Sequence, residues 1–253
     1  MAFKDYFSQQ SAAYAHYRPH YPAALFDYLA GLASAMALAW DCGTGSGQVA
    51  AALASRFARV VATDPSENQI RHATPCANVE YRVEAAERSS LADASVDMVT
   101  VAQALHWFDL PRFYAEIARV SAPGGVVAVW SYGLFRAHPA VDAVVDDFYR
   151  RTVGPYWPPE RQLIDVGYRT VSFPFAEIAT PEFAITAEWD LAGVIGYLRT
   201  WSAVRRYRER NGRDPLAVLE APLAAAWGSP AAKKILQWPV YLRVGRTPQS
   251  QKG

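Results

Sequence analysis

Cysteine is scarce. The 253 residues hold only Cys42 and Cys76, too few for a disulfide framework or a thiolate metal centre, so a reducing compartment and no metal are expected. An excess of charge of one sign is missing as well. Lys and Arg number 25 against 24 Asp and Glu, a net +1. Without a basic surplus there is no electrostatic footprint for nucleic acid or an anionic membrane, and neither is expected as a partner. Long apolar runs are absent. The longest, Leu29 to Trp40, is too short to cross a bilayer and is broken by Gly31. The opening MAFKDYFSQQ carries acid and amide groups and lacks an apolar signal core. What remains is a cytoplasmic globular protein, and a hydrophobic share of 51% is enough to bury a substantial core.

What the sequence does have is alternation. Pro22 can start a helix through AALFDYL, because its missing N–H is not needed there. Short apolar runs at Ala37–Asp41, Val60–Thr63, Val79–Val83, Val96–Ala102 and Val126–Trp130 read as strands. Between them, Gly47–Phe57, Glu67–Ala73 (capped by Ser66) and Leu110–Val120 have helical spacing, and Pro123-Gly124-Gly125 reads as a turn. This β-α-β rhythm predicts a doubly wound, mostly parallel sheet. After Tyr132 the pattern changes. A helix is predicted over His138–Arg151. Prolines then interrupt, and Glu182–Trp189 alternates like a strand. Asp190 can cap one helix through LAGVIGYLRTWSAVRRYRER, another helix covers Pro215–Trp227, and Ile235–Val244 is a last strand pairing antiparallel with the first late one.

The sharpest local signal is Asp41-Cys42-Gly43-Thr44-Gly45-Ser46-Gly47, a glycine loop between a strand and a helix. Glycines there allow positive φ and close backbone approach to a ligand. Asp64, about 20 residues on at the next strand end, stands where a ribose diol would be held. A dinucleotide fingerprint needs a third glycine where this chain has Gln48, so a nicotinamide-dependent oxidoreductase is the weaker reading. A carboxylate at Asp41 suits a ligand bearing an ammonium group better than a pyrophosphate.

DCGTGSG resembles the first motif of the class I S-adenosylmethionine-dependent methyltransferases. VVATDPSENQI resembles their second, and EAAERSSLADASVDMVTV their approach to strand four. FSQQSAAYAHYRPHYP, AQALHWFD, the WPPE and GYLRTWSA segments and WPVYLRVGR are similar to a small-molecule subgroup related to trans-aconitate methyltransferase. The resemblance implies a Rossmann-like α/β fold with a seven-stranded, mostly parallel sheet, helices on both faces and a helical lid. It implies one domain over 1–253, with an N-terminal cap segment (1–30), a cofactor-binding core (37–132), a lid and substrate region interleaved with an edge strand (134–230) and a final strand (235–244).

It also implies S-adenosylmethionine as cofactor and a site to hold it. Gly43 and Gly45 would line the methionine portion, with Cys42 and Thr44 in the same loop. Asp41 would orient the loop and the ammonium group, and Asp64, Pro65 and Ser66 would stand at the ribose. Ala86 and Glu87 would meet adenine, and Gln103 and Ala104 would lie near the sulfonium. Tyr14 and Arg18 would close over the cofactor from an opening segment, about Phe7 to Tyr21.

His106 and Trp107 follow a central strand, where open α/β sheets hold ligands. His106 is a candidate general base or substrate donor, and equally a histidine that fixes its loop. Trp107 is a pocket candidate, and Tyr197 and Trp201, four apart on one helix, are substrate-lid candidates. Each is balanced by ordinary core packing. The basic run Arg205 to Arg213 reads as a solvated helix end. The expected function is methyl transfer to a small-molecule acceptor, a carboxylate among the options. The rivals are a cofactor-binding sensor or inactive homologue and, behind it, the oxidoreductase. Oligomeric state is left open.

Overall fold

The computed structural model describes residues 19–249. The strand–helix rhythm becomes β1 (Leu38–Cys42), β2 (Arg59–Asp64), β3 (Val79–Val83), β4 (Val96–Ala102) and β5 (Ser121–Tyr132), with α1 (Ala23–Leu32) ahead of β1. The helices between them are α2 (Gln48–Ala54), α3 (Glu67–Arg71) and α4 (Leu110–Val120). The second half adds α5 (Pro139–Asp147), α6 (Arg161–Asp165), β6 (Ala176–Ile178) and β7 (Phe183–Trp189). It continues with α7 (Leu191–Arg199), α8 (Ser202–Asn211), α9 (Glu220–Trp227) and β8 (Lys234–Arg246).

The strands form one sheet in the order β3-β2-β1-β4-β5-β8-β6, with β7 also on β8. The first five run parallel. β8 is antiparallel to β5 on one side and to β6 and β7 on the other. The expected Rossmann-like fold and the antiparallel pairing of the two late strands are therefore present. Short β6 makes an eighth strand that the hydropathy pattern did not show. It has only three residues, so period-two alternation could not reveal it.

Three local readings need correction. The predicted helix through LAGVIGYLRTWSAVRRYRER breaks after α7. The Thr200 hydroxyl donates to the Tyr197 carbonyl at 2.6 Å, and Trp201 is extended (φ −66°, ψ 133°) before α8 begins. The Pro215–Trp227 helix opens as a tight 3₁₀ turn over Pro215–Val218 before α9. Pro123-Gly124-Gly125 lies inside β5, where the register with β4 slips between Val96 and Met98. The caps follow the sequence. Ser66 Oγ accepts from the Gln69 N–H at 3.3 Å, and Asp190 Oδ1 accepts from the Gly193 N–H at 2.8 Å.

Both sheet faces are covered, as the nearly continuous apolar strands require. On one face Leu25, Phe26 and Leu29 of α1 and Val49 and Leu53 of α2 pack with Met98, Ala128 and Trp130. The same cluster runs on through Phe148, Val194, Leu198, Trp201 and Leu223, so the helices after β5 share the sheet's core. On the other face Phe113 and Ile117 of α4 meet Trp40, Val99, Val129 and Tyr168. Among the described residues no helix is long and apolar enough to cross a membrane.

Candidate functional site

In this strand order the chain changes direction between β1 and β4, and the crevice at their carboxyl ends is where an open α/β sheet holds a ligand. β1 delivers Asp41 and Cys42 to that edge and β4 delivers Gln103. The loop after β1 turns sharply, with positive φ at Gly43 (69°), Gly45 (55°) and Gly47 (83°). The Gly43 and Thr44 amides both donate to the Thr63 carbonyl, at 2.8 and 2.9 Å, fastening the loop to the end of β2. A Cβ on Gly43 would lie 2.5 Å from the Ala104 Cβ, whereas a Cβ on Gly45 would meet nothing within 4 Å among the described residues. The first glycine thus lets two turns touch, and the second leaves open space.

Asp41 is 1% exposed. Its carboxylate accepts from the Thr44 hydroxyl at 2.6 Å and the Thr100 hydroxyl at 2.9 Å, so it ties the glycine loop to β4. Burial pushes its pKa up to about 6, against the lowering effect of the threonines. The ionised form is therefore held at a desolvation cost that a cation placed beside it would relieve. Asp64 Oδ2 accepts from the Gly45 amide at 3.0 Å and Oδ1 from the Ser66 amide at 2.9 Å. These bonds set the Asp64 carboxylate beside the glycine loop at the end of β2. Pro65 lies between Asp64 and Ser66 at this strand end. Cys42 points elsewhere: its side chain is buried in the second core cluster with Val61 and Val99, leaving its backbone to serve the loop.

Ala86 is buried in that same cluster. Glu87 Oε1 accepts from the Asp109 amide at 2.8 Å, which joins the segment after β3 to the head of α4. Gln103 adopts φ +57°, unusual for a residue with a side chain. Its amide N–H donates to the Trp130 carbonyl at 2.9 Å, while its Oε1 is buried without a hydrogen-bond partner among the described residues. Ala104 is the residue that touches Gly43. A strained backbone and an orphaned acceptor thus coincide at the end of β4.

The 3₁₀ turn Leu105–Trp107 follows. His106 Nδ1 lies 2.9 Å from the Tyr168 hydroxyl. The Leu105 and His106 amides also approach that hydroxyl oxygen. This contact fixes the imidazole on the turn, with Nε2 as its other ring nitrogen. Burial, with Arg161 nearby, lowers the His106 pKa to about 3. The ring is neutral at physiological pH and too weakly basic to take a proton efficiently. Trp107 is 36% exposed and its ring lies against His106, 4.6 Å between centroids.

Tyr197 is 5% exposed. Its ring is surrounded by Phe135, Trp189, Trp201 and Trp238, and its hydroxyl accepts from the Trp238 indole at 3.2 Å. That is a core position. Trp201 lies between this core and a second aromatic group, Tyr149 at 5.7 Å and Trp157 at 5.5 Å. Tyr14 and Arg18 lie outside the described residues.

Sequence reasoning missed Thr100, Phe108, Arg161 and Tyr168. Thr100 carried a signal, a lone hydroxyl inside the apolar run VDMVTVA. The others carried none. Arg161 and Tyr168 reach the His106 turn only because α6 packs against it.

A profile of the methyltransferase domain matches residues 40–129. A Dictyostelium discoideum protein, provisionally named a methyltransferase, is 35% identical over 247 residues, covering 95% of this chain and 94% of its own. A solved structure from Anaeromyxobacter dehalogenans, provisionally named a type II methyltransferase, superposes with a TM-score of 0.87 at 49% identity. That alignment covers 92% of this chain and 99% of the other. The malonyl-[acyl-carrier protein] O-methyltransferase of Dechloromonas aromatica is 38% identical over 128 residues, 49% of this chain and 48% of its own.

Proposed function

The chain belongs to the class I S-adenosylmethionine-dependent methyltransferases, and from that premise we propose that it methylates a small molecule bound between the His106 turn and the helices after β5. The observation that carries this reading is the partly buried Trp157, backed by the core rings of Tyr149 and Trp201 at 5.1 to 5.7 Å. α6, which follows Tyr149 and Trp157 in the chain, packs on the turn holding His106. An apolar wall with a few polar groups is the make-up of a small-ligand pocket and obstructs a polymer.

The residues present fit the cofactor. The open space at Gly45 admits a ligand close to the backbone. The orphaned Gln103 Oε1 is an acceptor suited to the ammonium, as is the buried Asp41 carboxylate. Asp64 would hold the ribose hydroxyls, with Pro65 and Ser66 beside it, and Ala86 and Glu87 would border the adenine. When bound, S-adenosylmethionine supplies a methyl group already activated by its sulfonium. The chain's own contribution is then orientation and exclusion of water. His106, with its pKa lowered by burial, orients the acceptor in place of the general base expected from its position. Such a site suits an acceptor that is nucleophilic without losing a proton, such as a carboxylate. The Dechloromonas aromatica O-methyltransferase and the resemblance to trans-aconitate methyltransferase agree with that preference.

The test is incubation with methyl-labelled S-adenosylmethionine and three fractions: small metabolites, folded proteins and RNA. Label is expected in the metabolite fraction. Label confined to protein or RNA overturns the proposal, and cofactor binding with no transfer to any fraction would favour the sensor instead.

A further inference from the structure

We propose that Arg161 anchors an anionic group of the acceptor, making the substrate class small organic acids; this rests on the methyltransferase reading above. Arg161 opens α6, and its side chain is only 18% exposed. One edge of the guanidinium is used: Nε donates to the Tyr149 hydroxyl at 2.8 Å and lies 3.4 Å from Asp165 Oδ1. The plane is fixed by stacking, 4.8 Å over the Trp157 ring and 5.5 Å over Tyr149. The other edge, Nη1 and Nη2, makes no hydrogen bond among the described residues, and Asp165 is the one carboxylate there within 4.0 Å of the guanidinium. A rigid guanidinium with its two-pronged edge unused is the geometry that receives a carboxylate through two parallel bonds.

A second observation points the same way. The Trp157 indole N–H, on the ring beneath the guanidinium, is buried without a partner among the described residues. Unpaired buried donors are costly, and two such groups side by side ask for a ligand rich in acceptors. His106 adds a ring nitrogen, Nε2, on the turn that α6 packs against. The His106 ring itself meets neutral Tyr168. With Asp165 and the Tyr149 hydroxyl taken up on the Nε edge, the groups left over at this corner are donors: the Nη edge of Arg161 and the Trp157 N–H. A carboxylate bonded by both prongs is held in place by the guanidinium, so another atom of the acceptor takes the methyl.

The experiment uses the full chain saturated with S-adenosylhomocysteine, titrated with phenylacetate and with its neutral isostere phenylacetamide. Phenylacetate should bind at least tenfold more tightly than the amide. Arg161→Gln should remove that preference, and Arg161→Lys, which keeps charge without the planar fork, should retain only part of it. S-adenosylhomocysteine affinity, measured in each variant, should stay within threefold of wild type. If Arg161→Gln fails to fold, Arg161→Lys carries the comparison. Equal binding of acid and amide by wild type, binding of neither, or a preference that survives Arg161→Gln overturns the anchor. Failure of wild type to bind S-adenosylhomocysteine at all would instead sink the methyltransferase reading.

Discussion

Replacing Asp64 with alanine is expected to weaken S-adenosylmethionine binding by about 2–3 kcal/mol, roughly thirtyfold to more than a hundredfold. Two losses add. The ribose hydroxyls lose a charged acceptor, and the Gly45 and Ser66 amides lose the carboxylate they share, at 3.0 and 2.9 Å. The residue stands at the end of β2 in a polar corner, so its removal leaves no cavity among apolar side chains, and the fold should survive. Asp64→Asn separates the contributions. It retains one acceptor oxygen but removes the charge, so it should fall between wild type and alanine. Isothermal calorimetry measures both. Wild-type affinity in a folded Asp64→Ala protein would mean that the ribose is held elsewhere.

Gly43→Ala should be a strongly damaging methyl addition in the loop. The backbone there has φ +69°, and the new Cβ would sit 2.5 Å from the Ala104 Cβ and 3.1 Å from Phe108. Backbone strain and overpacking of this kind each cost about 1–3 kcal/mol, so a loss of about 3 kcal/mol and a melting point lower by roughly 10 °C are expected. Gly45→Ala is the contrast. Its φ is +55° but its Cβ would enter open space, so strain alone, about 1 kcal/mol, should reach the stability. Cofactor affinity should nonetheless fall steeply in Gly45→Ala, because the methyl occupies space assigned to the ligand. Pairing Gly43→Ala with Ala104→Gly should recover stability beyond the sum of the single effects. Equal melting points for wild type and Gly43→Ala would show that the two turns are not locked together.

The half of the chain built by alternation is legible in its residues alone. The strands through β4 and the helix α4 follow from apolar runs and capping signals, and Asp64 falls where strand length and loop spacing place it. The later half is legible in type and poorly in boundaries. Nothing in YLRTWSAV announces that Thr200 will bond back to the Tyr197 carbonyl and end α7, since propensity alone allows one helix to continue. The candidate site divides the same way. The glycine loop, Asp41 and Asp64 lie in one motif and its spacing. Tyr197 resembles a lid residue because its helical neighbour Trp201 is aromatic, but contacts with Phe135 and Trp238, distant in sequence, make it core. His106 stands out by its place after β4, while its neutral state depends on Tyr168 and Arg161, which only tertiary packing brings near. Arg161 is invisible in the sequence for the same reason: an arginine after two prolines looks solvated until the rings around it are known.

The most direct measurement is a calorimetric titration of the wild-type protein with S-adenosylhomocysteine and, separately, with NAD. One site is predicted for S-adenosylhomocysteine, formed by the Gly43–Gly47 loop and Asp64. No heat of binding is predicted for NAD, because Gln48 stands where a pyrophosphate needs glycine. Binding of NAD without binding of S-adenosylhomocysteine would contradict the assignment of this loop to the methyl donor.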